Sequence, residues 1–79
     1  MLEMRPGCEC CDKDLPADAG GAFICSFECT FCEACAAGTL DYTCPNCGGV
    51  LVERPFRPTN KLKNNPASTR RIYKPGGCH

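Results

Sequence analysis

Eight of the ten cysteines in this chain form four close pairs: Cys8 with Cys11, Cys25 with Cys29, Cys32 with Cys35, and Cys44 with Cys47. Three pairs read C-x-x-C and one reads C-x-x-x-C. A gap of two or three residues lets one tight backbone turn aim both sulfurs at a single metal ion, and a structural zinc takes four thiolates. Four pairs therefore furnish two complete sites, and the cofactor expected is two Zn2+. Closed four-thiolate coordination leaves no position for water or substrate. The chemistry expected is structural, and the protein is expected not to be an enzyme.

The elements that must carry these sulfurs are short. At 79 residues without Trp, the chain is one small domain with too little apolar surface to order itself, so metal is expected to organise it. Pro6-Gly7 is a turn signal ahead of Cys8. Residues 12–21 (DKDLPADAGG) read as a polar loop, and residues 22–27 as a short strand entering the Cys25 turn. Residues 32–37 (CEACAA) suit a short helix with Gly38 as its C-terminal cap. In residues 42–49 (YTCPNCGG) the proline sets one φ angle, and a following glycine can turn N–H groups toward sulfur. Val50, Leu51 and Val52 follow as a strand. Beyond Glu53, four prolines forbid long regular elements. Single helical turns are expected after a Thr59 cap and from a Ser68 cap to Ile72, with Phe56, Leu62, Ile72 and Tyr73 favouring packing of this arm.

The order C-x2-C-x13-C-x3-C-x2-C-x2-C-x8-C-x2-C allows two assignments. Sequential pairing puts Cys8, Cys11, Cys25 and Cys29 on one ion. Interleaved pairing puts Cys8, Cys11, Cys32 and Cys35 on site 1 and Cys25, Cys29, Cys44 and Cys47 on site 2. The spacing resembles the RING finger, whose central His-x-Phe-Cys-x-x-Cys frame recurs here as Cys29-Thr30-Phe31-Cys32-Glu33-Ala34-Cys35, with Cys47 closing the last pair. That resemblance covers residues 8–47 and implies the interleaved, cross-braced arrangement. The fold expected is a small metal-stabilised α+β domain, RING-like or treble-clef, with short strands and one short helix over residues 1–53. Residues 54–79 follow as an extended basic arm, packed on the domain or partly disordered. RING ubiquitin ligases commonly carry an aliphatic residue where this chain has Cys10, a Trp where only Tyr42 is near, and a basic residue where Gly48 stands. Those departures count against ligase activity. The C-P-x-C-G turn also resembles rubredoxin, which implies iron, but two sites with a three-residue gap fit that family poorly. MLEMRP, CDKDLP, ICSFECTFC and CPNCGG with a basic tail are similar to a family of small uncharacterised bacterial proteins, known as a domain of unknown function. This likeness implies a bacterial cytosolic protein and transfers no activity.

The formal charge of zero hides a division. Residues 1–53 hold nine acidic residues against Arg5 and Lys13, a balance of −7. The arm holds Arg54, Arg57, Lys61, Lys63, Arg70, Arg71 and Lys74 and no acid. These are the candidate partner-binding residues, and with Phe56 and Tyr73 they could hold phosphates and stack a base. The competing expectation is that the arm neutralises its own acidic core, which would repel nucleic acid. Asp12, Asp14 and Asp18 read as a solvated loop. Cys10 is expected as a half-buried apolar filler, and Cys78 and His79 as non-ligands. The opening MLEMRPGC has no apolar signal region and no segment can span a membrane, so a cytoplasmic location with thiols free for metal is expected. The function expected is a non-catalytic protein-interaction module. Nucleic-acid binding, ligase-like activity and metal or redox sensing are the alternatives.

Overall fold

The computed structural model describes residues 1–74; Cys78 and His79 lie outside them. Strand β1 (Ala22–Ile24) pairs antiparallel with β2 (Thr30–Cys32), placing Phe23 opposite Phe31 and Ile24 opposite Thr30. The turn between them carries Cys25 and Cys29, with Glu28 at φ 63° and its N–H donating to the Cys25 carbonyl at 2.9 Å. Strand β3 (Val52–Glu53) pairs with the other edge of β1, giving the order β2-β1-β3. The strand expected at Val50–Val52 is therefore shifted: Val50 instead bridges Thr43 across the Cys44–Cys47 turn.

Helix α1 (Glu33–Ala37) leaves β2 without a loop, with Cys32 as its N-cap and the Gly38 N–H returning to the Ala34 carbonyl at 3.0 Å. Five residues cannot sustain a helix alone. Ala36 seats this one in the core with Leu15, Phe31, Leu40 and Leu51. Cys8, Cys25, Cys32 and Cys44 belong to the same core, so sulfur supplies much of the interior.

Residues 54–74 run back over the domain, held by polar contacts. Arg57 donates to the carbonyls of Leu2 and Asn65, both at 2.9 Å, and the Ser68 N–H to the Glu3 carbonyl at 3.0 Å. Phe56 and Tyr73, expected to pack, are exposed, while Leu62 and Ile72 are half-buried. One 3₁₀ turn (Thr59–Lys61) forms with Pro58 as its cap, because the Thr59 hydroxyl instead donates to Asp18 Oδ2 at 3.0 Å. Among the described residues no helix follows Ser68: its Oγ accepts the Arg70 N–H at 3.0 Å, and residues 69–74 are irregular.

Candidate metal centres

Two tight turns of the same construction present the outer cysteine pairs. In the first, the Cys8 N–H donates to the Lys13 carbonyl and the Asp12 N–H to the Cys8 carbonyl, both at 2.9 Å. In the second, the Cys44 N–H donates to the Gly49 carbonyl at 2.8 Å and the Gly48 N–H to the Cys44 carbonyl at 2.9 Å. Both turns end a minimal hairpin, closed by the bridges Gly7 to Asp14 and Thr43 to Val50. The residue after the second cysteine takes positive φ in each, Asp12 at 62° and Gly48 at 76°. Glycine adopts that region freely and Asp is among the few side chains that tolerate it.

The first turn delivers Cys8 and Cys11 to the junction of β2 and α1, where Cys32 and Cys35 stand one helical turn apart. The sulfurs of Cys8, Cys11, Cys32 and Cys35 all lie within 4.8 Å of one another. Cys11 Sγ is 3.7 Å from Cys32 Sγ. A disulfide needs about 2.05 Å, whereas the edge of a tetrahedron of sulfurs about 2.3 Å from a zinc ion is about 3.8 Å. All eight paired cysteines are free thiols. The donor set and its spacing thus fit a thiophilic ion.

The second cluster brings Cys25, Cys44 and Cys47 within the same mutual distance. Cys29, at the far end of the Cys25 turn, stands outside that distance. Cys25 Sγ accepts the Phe27 N–H and Cys47 Sγ the Gly49 N–H, each at 3.4 Å. The grouping of cysteines is interleaved along the chain.

Crowding shows in the acidity of the thiols. Burial, then the thiols of Cys32, Cys8 and Cys11, push Cys35 well above its ordinary value. Burial raises Cys44 to about 12, against the N–H groups of Cys47 and Asn46, which pull it down. Burial would raise Cys25 and Cys32 too, but backbone N–H groups and adjacent thiols donating to each sulfur lower them. Cys32 thus ionises more readily than Cys35, and Cys25 more readily than Cys44, and a bound cation is what would let the thiols of a cluster ionise together.

The basic residues of the arm have unequal fates. Arg54 is 2% exposed; Nη1 donates to the Arg5 carbonyl at 2.9 Å, and Nη2 to those of Leu15 at 3.1 Å and Pro16 at 3.4 Å. Its place is the interior, where it is unavailable to a partner. Arg71 reaches Asp12 Oδ1 at 2.9 Å and Asp14 Oδ1 at 2.8 Å, so these two acids are ion-paired and not simply solvated. Lys74 Nζ is 3.4 Å from Asn46 Oδ1 and 3.9 Å from Glu9 Oε1. Lys61, Lys63 and Arg70 are exposed, and their side chains make no hydrogen bond or ion pair among the described residues. Cys10 is half-buried against the core and is not a free thiol. Sequence reasoning missed Glu9, a buried carboxylate between Cys8 and Cys11 that accepts the Thr30 N–H at 2.8 Å. Its one signal was its place between the two cysteines of a C-x-x-C pair.

These features define a small α+β protein with two cysteine clusters that could hold metal ions. The chain belongs to the DUF1272 family, described as a protein of unknown function, whose pattern matches residues 1–57 and so spans both clusters. It is 64% identical over 78 residues to the uncharacterized protein R02474 of Rhizobium meliloti (strain 1021), a match covering 99% of this chain and 93% of that protein. No solved structure matches the chain. Among the described residues, no helix is long and apolar enough to cross a membrane.

Proposed function

We propose that this protein is a cytoplasmic two-zinc scaffold of the cross-braced, RING-like kind, with no catalytic role, that presents a surface to another protein. The observation that carries the reading is the convergence of Cys8, Cys11, Cys32 and Cys35 within 4.8 Å. A turn, a hairpin and the start of a helix contributing two thiols from each end is the build of a treble-clef zinc site. With Cys29 of the same turn as its fourth thiol, the second site would be complete. Bound there, each zinc ion would supply structural cross-linking and the positive charge that four thiolates require.

The partner surface we propose surrounds the second cluster. Phe27 is 70%, Val50 72% and Val52 56% exposed. Phe27 lies in the Cys25–Cys29 turn, Val50 follows the Cys44–Cys47 turn, and Val52 pairs with Ile24 next to Cys25. Large apolar side chains left in water on so small a domain support protein binding over nucleic-acid binding, and the engagement of Arg54, Arg57, Arg71 and Lys74 within the chain supports the same choice. Elemental analysis of protein purified under reductant should give two zinc ions per chain. Metal-free protein that stays folded in excess chelator would refute the proposal. Phe27→Asp should then abolish capture of the partner without changing the zinc content.

A further inference from the structure

Glu9 lies between Cys8 and Cys11, yet it is only 2% exposed. Its Oε2 accepts the Thr30 N–H at 2.8 Å and pairs with Arg5 Nη1 at 3.1 Å. Its Oε1 accepts from Asn46 Nδ2 at 3.2 Å. Asn46 occupies the turn between Cys44 and Cys47, and Thr30 lies on β2 between Cys29 and Cys32. A buried carboxylate at the tip of one cysteine turn therefore holds the side chain at the tip of the other. Lys74 closes the junction from the arm, its N–H donating to the Glu9 carbonyl at 2.8 Å.

We propose that Glu9 couples the two clusters, so that metal bound at one organises the other. The inference rests on the two-metal reading above. Each turn is a minimal hairpin that gains its order when its sulfurs are held by an ion. Once the first turn closes, the Glu9 carboxylate is fixed in place with one oxygen facing the second turn. Pairing with Asn46 then removes part of the ordering cost that the second ion would otherwise meet. Without Asn46 that buried oxygen keeps only the more distant Lys74 Nζ at 3.9 Å, which is unfavourable and so favours the doubly loaded state. The effect is reciprocal, because coupling between binding sites must act equally in both directions. The clusters are also linked through β2, since only Thr30 and Phe31 separate Cys29 from Cys32. Substitutions at Glu9 and Asn46 leave that covalent route intact and so isolate the side-chain route.

The test is titration of the reduced, metal-stripped full chain with Co2+, whose thiolate charge-transfer and d–d absorption report ligand number and geometry at each step. In the unaltered protein the second ion should bind more tightly than the first. Glu9→Gln keeps the shape but turns a donor toward one of the donors it faces, and should lower the ratio of stepwise affinities by about tenfold, or ~1.4 kcal/mol. Both ions should still bind with an unchanged four-thiolate spectrum. A general loss of stability would instead weaken the first step, which bears the folding cost, and so raise the ratio. Should Glu9→Gln fail to fold, Asn46→Ala removes the same bridge from an exposed position and should lower the ratio equally. In the double variant the loss should be no greater than in either single one. An unchanged ratio in Asn46→Ala, or two independent and equal affinities in the unaltered protein, overturns the coupling alone. A chain that takes up no Co2+ overturns the two-metal reading itself.

Discussion

Replacing Arg54 with Met keeps most of the aliphatic stem and removes the guanidinium fork. The fork joins the two ends of the first cysteine turn: Arg5 lies before it and Leu15 after it, and both carbonyls are bonded by the same side chain. A hydrogen bond from a charged donor contributes about 1.5–3 kcal/mol, and an orphaned buried carbonyl costs about 1–3 kcal/mol. Of the three bonds, that to Leu15 is fully buried, while the 3.4 Å contact with Pro16 is too long to add much. Against this stands the desolvation of a cation whose Nε has no partner. Burial, and then the charge of Arg57, lower the pKa of Arg54, although the group remains a cation at any ordinary pH. Removing it relieves part of that penalty. The net loss expected is about 2–4 kcal/mol, a large share of the ~5–15 kcal/mol that holds a small domain together. Urea unfolding of the metal-replete protein should show the midpoint falling by about 2 M or more with the slope unchanged. Arg54→Lys, with one compact ammonium in place of a planar fork, should recover about half of the loss. A Met variant within about 0.5 kcal/mol of the parent, or a Lys variant equal to it, would refute the reasoning that the fork closes the turn.

Four further outcomes are expected. Stripping metal from the reduced chain should unfold it, as judged by near-ultraviolet dichroism, because about 10–16 kcal/mol of apparent binding free energy per structural zinc exceeds what this core can replace. Cys35 and Cys44 (the latter at about 12) are protonated at neutral pH without metal, so reloading should release protons into unbuffered solution and weaken as pH falls. Gly48→Ala places a side chain at φ 76° with open space around it, and should cost about 1 kcal/mol in urea unfolding through backbone strain alone. Gly7→Ala puts a methyl 2.8 Å from Arg71 Nη2; the flexible arginine should move, raising amide exchange over residues 68–74 while the Co2+ spectrum of the first cluster stays unchanged.

The local parts of the fold were readable because metal-ligand spacing and turn chemistry are local. Cysteine pairs separated by two residues announce tight turns, Cys-Pro-Asn-Cys-Gly announces where φ becomes positive, and CEACAA with Gly38 announces the helix. The likeness of the two outer turns was hidden because Asp12 does at the first what Gly48 does at the second, and a glycine rule searches only for glycine. Strand β2 was hidden differently. Thr30, Phe31 and Cys32 are all buried, so no alternation marks them, and the two flanking cysteines attract attention as ligands instead. The arm was half readable: Leu62 and Ile72 are half-buried, but Phe56 and Tyr73 are exposed, and the hydrogen bonds that fasten the arm come from Arg57, Ser68, Arg71 and Lys74.

Glu9 and Arg54 could not be read from the sequence for a deeper reason. Each looks locally like a surface charge, and its burial follows only from partners far along the chain: 37 residues for Glu9 with Asn46, 49 for Arg54 with Arg5. Their opposite charges serve one geometric need. A domain with so few apolar residues cannot hold the two ends of a hairpin, or two hairpin tips, together by burial alone. Directional bonds must do it, and a charge strengthens each bond. Arg54 fastens the base of the first turn, while Glu9 fastens its tip to the second. Between these two points lies the cluster of Cys8, Cys11, Cys32 and Cys35, so its sulfurs stand between two fastened ends of one turn. Loss of either anchor should thus loosen the first cluster before the sheet, and cysteine alkylation rates resolved by residue would reveal that order.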